Sequence, residues 1–398
     1  MTYTLIDRNR LSEDHFIPYA SQWLDADDIQ AVVDVLESSW ITQGPKVSEF
    51  ENKVAEHCGA RYAVAVATGT AGLHCAAFAA GVEPGDEVIT SPISFVASAN
   101  CVSYLGARPI FADIDSDTLN CDPNEVDKHI SPRTKAIVPV DFSGHPADMD
   151  EIMSISRQHG LTVISDAAHS LGAKYRGKRV GAMADMTVLS FHPVKHVTSG
   201  EGGMILTDDP DFYERLLLFR THGITNRPDL LNNKKSGGWY YEMQALGYNY
   251  RITDIQCALG ISQLAKLEGF VSRRREIAQH YNQAFSEIPE VILPVERPYV
   301  KASYHLYVLQ FDFSLLHANR TELFDKLRAR NIGVQVHYIP AHLQPYYKNK
   351  FGYQYGDYPH AERYYDRCLT IPLYPRMTDM DVQRVIDSIC EVVKSARS

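Results

Sequence analysis

The chain has 398 residues, of which 45% are hydrophobic and 22% charged, and its formal net charge is −10. That length and composition suit a globular protein with two domains, or one large domain and a smaller companion. The acidic balance, with no long run of like charge, argues against nucleic acid as the natural partner, because that binding needs a basic face.

Asp25 is a good N-cap, and Ile29, Val32, Val33 and Leu36 follow at helical spacing, so the first predicted helix runs to about Ser38. A turn-rich stretch, 40–45, leads into a second helix over 47–58. The pattern then alternates. Strands are predicted at 62–67, 87–90, 109–112, 135–140 and 161–165, the last ending on Asp166. Between them lie a turn at 68–72 with a helix at 73–80, and helices at 95–105 and 150–159. Strands at 186–191 and 204–207 bracket a glycine-rich loop that carries Lys195, and a helix follows at 211–221. After a polar loop at 232–238, one long helix or two joined helices over 252–284 carry the chain into a second domain. There the pattern predicts strands at 304–311 and 334–337 and helices at 321–330, 361–368 and 379–394.

Strands alternating with helices mean an α/β fold whose central sheet is mainly parallel, here in a large domain over 1–264, with a smaller α+β domain over 265–398. Such sheets place ligands at the carboxyl ends of their strands. Three segments follow predicted strands: Thr68-Gly-Thr-Ala-Gly72, Asp166-Ala-Ala-His169 and Ser190-Phe-His-Pro-Val-Lys195. The first suits a phosphate at a helix N-terminus, or is a plain tight turn. Asp166 could hold a protonated ring nitrogen or cap a turn. Lys195 could lose its charge by desolvation and act as a nucleophile, or be an ordinary solvated loop lysine. His192 and His196 have helical metal spacing, but Pro193 lies between them and no H-E-x-x-H is present, so no metal is expected. The stretch from Val336 to His342 reads as a loop after a strand, either packing or part of a pocket rim.

Taken together, the parts match the needs of pyridoxal 5′-phosphate. A helix start and hydroxyls suit its phosphate, the aromatic Phe95 suits its ring, a carboxylate suits its ring nitrogen and a lysine suits its aldehyde. The seven cysteines are scattered, odd in number and without a C-x-x-C pair, which fits free thiols in the cytoplasm. The polar Met1–His15 stretch reads as no signal peptide, and no stretch of about 18 apolar residues reads as a membrane span.

Three motifs carry a resemblance over nearly the whole chain: Trp40-Ile-Thr-Gln-Gly-Pro-Lys-Val-Ser-Glu-Phe-Glu51, Ser190-Phe-His-x-x-Lys195 with Gly200-Glu-Gly-Gly203, and Gly247-Tyr-Asn-Tyr-Arg-Ile-Thr-Asp-Ile-Gln256. In them the sequence resembles the sugar aminotransferases of the DegT/DnrJ/EryC1/StrS group, which have the aspartate-aminotransferase fold (PLP fold type I). Segments 239–247 and 336–347 are similar to one branch, the UDP-4-amino-4,6-dideoxy-N-acetyl-β-L-altrosamine transaminases of pseudaminic acid synthesis.

The resemblance implies that Lys195 is the Schiff-base lysine and the catalytic acid and base, that Asp166 partners the pyridine nitrogen, and that His169 contacts the ring or its hydroxyl. It places Phe95 on the ring face, and Thr70, Ala71 and Ser190 at the phosphate. Asn249 matches an asparagine that reaches the phosphate from the other subunit, which implies a homodimer. Ala71-Gly72 stands where relatives often carry Ser-Ala, so Ala71 can offer only its backbone N–H. Gln43, Gly44, His337 and Tyr338 are the expected substrate-lining residues. The implied reaction moves the amino group of L-glutamate to C4 of a UDP-linked 4-keto-6-deoxy-N-acetyl sugar. Alternatives are another nucleotide-linked keto-sugar and a non-catalytic PLP-binding regulator. The family's dehydratase branch has histidine in place of Lys195.

Overall fold

The structure, a computed structural model, describes residues 15–233 and 237–397. Most of the polar N-terminal stretch (1–14) and the centre of the predicted polar loop (234–236) lie outside the described residues.

The centre of the molecule is a seven-stranded sheet. Its strands are β1 (Tyr62–Val66), β2 (Glu87–Thr90), β3 (Arg108–Phe111), β4 (Thr134–Val138), β5 (Thr162–Asp166), β6 (Met186–Ser190) and β7 (Gly203–Thr207). They lie in the order β1-β7-β6-β5-β4-β2-β3. The pairs β2–β3, β2–β4, β4–β5 and β5–β6 are parallel. Only β7 runs against its neighbours, pairing antiparallel with both β6 and β1. Apolar runs such as Tyr-Ala-Val-Ala-Val suit strands covered on both faces. Alternate residues point to opposite layers: Val64, Val66, Val188 and Ile205 join one core with helix residues Leu73 and Phe219, while Ala63, Ala65, Leu189 and Met204 join another with Phe50 and Val54.

The predicted turn at 68–72 is instead the first turn of a helix, Gly69–Ala79. Thr68 caps it by accepting a hydrogen bond from the Ala71 N–H at 3.1 Å. Gly72 serves packing rather than a turn, since a Cβ there would come within 2.9 Å of Val188 Cγ1 on β6. The first helix, Ala26–Leu36, begins at Asp25 as its spacing predicts, with a capping box to Asp28.

The stretch predicted over 252–284 forms two helices, Asp254–Leu264 and Leu267–Phe285. Beyond them Val291–Ile292, Tyr307–Phe311 and Cys368–Ile371 make an antiparallel three-stranded sheet. The helices Arg320–Ala329 and Asp379–Ala396 share its apolar core. The strand predicted at 334–337 does not form. Only Gln335 bridges to Thr370, and the segment continues as a loop into the wall of a cavity at the sheet's carboxyl edge.

All seven cysteines are free thiols; six are buried and Cys390 is partly exposed. No helix among the described residues is long and apolar enough to cross a membrane. Trp239, Tyr241, Met243 and Leu246 stand exposed on the surface.

Candidate active site

A cavity of about 470 Å³ opens where β1, β5 and β6 end. Three kinds of chemistry meet in it.

The helix start supplies the first. Thr68, Gly69 and Thr70 line the cavity. The opening N–H groups of a helix have no acceptor within it and carry the positive end of its dipole. Ser190 faces the same place, for a Cβ added to Gly69 would lie 3.1 Å from Ser190 Cβ and 3.3 Å from its Oγ. The missing side chain therefore keeps a gap between a hydroxyl and a helix N-terminus, a cradle suited to a phosphate. Ala71 is not among the lining residues, and its N–H is already bonded to Thr68 Oγ1.

The end of β5 supplies the second. Asp166 is buried, and its carboxylate accepts hydrogen bonds from Ser98 Oγ at 2.6 Å and from the Ala168 N–H at 3.2 Å. Burial pushes its carboxyl above the ordinary range, against the pull of those two donors and of Lys195. A fixed, buried carboxylate of this kind favours a cation beside it. His169 is also buried, with Nε2 3.3 Å from the Tyr338 hydroxyl and Nδ1 without a hydrogen-bond partner. Phe95 forms part of the wall with 57% of its surface open.

The third is Lys195, on the loop between β6 and β7. That loop is closed at its base by the Ser190–Gly203 pair. The Lys195 Nζ lies 3.3 Å from His305 Nε2. Burial, reinforced by Arg274 and opposed by Asp166, pulls the amine down to about 8.

Of the residues expected from the sequence, Thr70, Phe95, Asp166, His169, Ser190, Lys195, His337 and Tyr338 come together in this cavity. Gln43 and Gly44 do not. They line a separate depression of about 230 Å³ with Arg220 and Arg251. Gly44 is held there by its N–H to Asp254 Oδ2, at 2.7 Å. Asn249 is exposed and pairs through its backbone with Thr221. His192 and His196 diverge: His192 lines the cavity, whereas His196 is buried with Nε2 3.2 Å from the Ser303 carbonyl. Sequence reasoning missed Tyr19, Ser98 and His305. They come from three distant parts of the chain, and no local spacing ties them to Lys195 or Asp166.

The sequence matches the DegT/DnrJ/EryC1/StrS aminotransferase family over residues 22–390. It is 43% identical over 383 residues to the spore coat polysaccharide biosynthesis protein SpsC of Bacillus subtilis, an alignment covering 96% of this chain and 98% of that one. Helicobacter pylori PseC, an aminotransferase of pseudaminic acid biosynthesis, superposes with a TM-score of 0.88 at 32% identity, covering 96% of this chain and all of that one. The PLP form of Spr1654 from Streptococcus pneumoniae superposes with a TM-score of 0.88 at 28% identity, covering 96% and 99% of the two chains.

Proposed function

The chain belongs to the DegT/DnrJ/EryC1/StrS aminotransferase family, and from that membership together with its likeness to PseC we propose that it transfers the amino group of L-glutamate to C4 of UDP-2-acetamido-2,6-dideoxy-β-L-arabino-hex-4-ulose. It is a PLP-dependent sugar aminotransferase with the α/β architecture of PLP fold type I. The observation that carries the reading is one cavity holding Lys195, Asp166, an open Phe95 face and a helix N-terminus.

The residues present fit the cofactor. The gap at Gly69, between Ser190 and the helix start, takes a phosphate. The buried Asp166 carboxylate takes a protonated ring nitrogen, and the unpaired Nδ1 of His169 is free for the ring or its hydroxyl. When bound, pyridoxal phosphate supplies an electron sink for the carbon that carries the amine. Lys195 would hold it covalently and, once released, move the proton at that carbon through Nζ. Asp166 would keep the ring nitrogen protonated, and Phe95 would cover one ring face. His337 and Tyr338 line the substrate side, with His337 Nδ1 fixed 2.8 Å from Thr370 Oγ1.

We read the enzyme as a cytoplasmic homodimer, the compartment supported by its free thiols. The exposed Trp239, Tyr241, Met243 and Leu246 form the kind of apolar surface that a second copy covers. In that dimer Asn249 of the partner subunit reaches the phosphate. The division into 1–264 and 265–398 falls between the helices Asp254–Leu264 and Leu267–Phe285.

One observation favours a second reading, amination of a different nucleotide-linked keto-sugar: identity is 43% to SpsC, a protein of spore coat polysaccharide biosynthesis, against 32% to PseC, of pseudaminic acid biosynthesis. A non-catalytic regulator would have no use for the lowered basicity of Lys195.

Incubation with L-glutamate and a panel of UDP- and dTDP-linked 4-keto-6-deoxy sugars separates these readings. 2-Oxoglutarate and an amino sugar are expected fastest with the UDP-N-acetyl substrate, read by mass spectrometry. No product from that sugar, with product from another, would move the assignment to the second reading.

A further inference from the structure

We propose that His305 is a positioning residue for Lys195: its ring holds the free side-chain amine in the cavity as the neutral base. The proposal rests on the catalytic role of Lys195 proposed for the transfer reaction.

The geometry begins with His305 itself, 2% exposed, its Nε2 3.3 Å from Lys195 Nζ and its Nδ1 buried without a hydrogen-bond partner. A neutral imidazole carries one N–H. Nδ1 has no partner in either tautomer, and a buried N–H left bare is rarer in folded proteins than a bare acceptor. We therefore assign the hydrogen to Nε2, aimed at Nζ. An ammonium has no lone pair to accept it, whereas a neutral amine does. The contact thus selects the free base.

The surroundings point the same way. Of the described titratable and charged groups that act on the pair, only Asp166 is acidic. The others are His169, with its ring 4.3 Å from that of His305, His196 at 5.6 Å, His337 and Arg274. Arg274 is 1% exposed and makes no ion pair among the described residues. Its Nη1 donates to the carbonyls of Tyr304, His305 and Leu373, at 3.3, 3.2 and 2.9 Å. It therefore pins the His305 backbone, and its charge disfavours a second cation nearby. The His305 N–H is anchored as well, to the Ser143 carbonyl at 2.9 Å. Burial holds the His305 ring well below its ordinary range, in keeping with a neutral donor.

The consequence for catalysis is directional. A neutral amine can add to a carbonyl carbon and can take a proton from carbon. Once Lys195 has taken that proton it no longer has the lone pair that His305 donates to. The contact that His305 donates then no longer holds Nζ in place.

The test reads Lys195 directly, in the full-length apoenzyme. Acylation of its amine by an amine-specific reagent, followed by peptide mass spectrometry from neutral to alkaline pH, is expected to show a midpoint near 8 in the natural enzyme. His305→Phe removes the donor and should move the midpoint up by about one unit, so that labelling near neutrality falls about tenfold. His305→Gln, whose amide can still donate, should keep the midpoint low. His305→Leu serves as the same test if the melting curve shows that phenylalanine is not accommodated. An unchanged midpoint without the donor, or a downward shift, overturns the proposal. Borohydride trapping of the cofactor on the natural enzyme tests the underlying role separately: trapping on a lysine other than Lys195 would refute that role while leaving the pairing with His305 to be decided by the midpoints.

Discussion

Replacing Lys195 by alanine is expected to abolish amino transfer, with a loss of at least about 10⁴-fold, the upper range for a single acid–base group. The loss should reach that limit because the proposed mechanism gives one amine two tasks, attaching the cofactor and moving the proton, and no other lysine among the described residues lines the cavity. The purified natural enzyme should show a visible absorption band that borohydride removes, and the alanine variant should lack it. A variant that kept both the band and turnover would sink the assignment of Lys195. The acidity of the amine adds a pH test. A lysine pulled down to about 8 is protonated below that pH and neutral above it. The rate at which apoenzyme recaptures cofactor should therefore rise with pH through about 8. A rate that is flat or falls over that range would mean the attacking group is not this amine.

The second large effect is expected at Asp166. Asp166→Asn keeps the shape of a side chain that now accepts from Ser98 Oγ at 2.6 Å and from the Ala168 N–H at 3.2 Å. The amide oxygen can still accept from the Ala168 N–H, and the Ser98 hydroxyl can turn to accept from the new NH₂, so the fold should survive. What disappears is the charge proposed to face the protonated ring nitrogen. Removing one partner of a buried ion pair costs about 3–5 kcal/mol, which corresponds to about 10²- to nearly 10⁴-fold. Part should appear as weaker cofactor retention, measured by equilibrium dialysis, and part as slower turnover at saturating cofactor. If Asp166→Asn both retained cofactor and turned over like the natural enzyme, Asp166 would be a structural acceptor only.

Much of this site is readable in the sequence because its parts sit at strand ends. Asp166 closes an apolar run, and Ser190 and Lys195 follow another, so the rule that α/β sheets bind at their carboxyl edges is enough to bring them together. The start of the helix at Gly69 is misread because two glycines in five residues look like a turn. The second glycine answers to a strand over a hundred residues later in the chain, Val188 of β6, and no local pattern carries that information. Residues 334–337 have strand-like composition but find only one pairing partner, Thr370, and their segment is drawn into the cavity wall instead. His305 is out of reach for a similar reason. Its neighbour Lys195 is 110 positions away, and the turn that presents it passes through Tyr304 at a positive φ of 49°. Gln43, Gly44 and Asn249 are placed by resemblance alone, and none of them lies in the cavity of its own chain.

The distribution of thiols has a practical consequence. Burial pushes Cys58, Cys75, Cys121 and Cys368 up to about 12, 12, 11 and 12, so these sulfurs are both sheltered and poor nucleophiles at neutral pH. Cys101 and Cys257 are buried as well, which leaves Cys390, on the C-terminal helix, as the accessible one. A maleimide dye applied to the native protein should therefore attach once per chain, without any engineering of the sequence. Counting bleaching steps on single labelled particles would then report directly how many chains each particle holds.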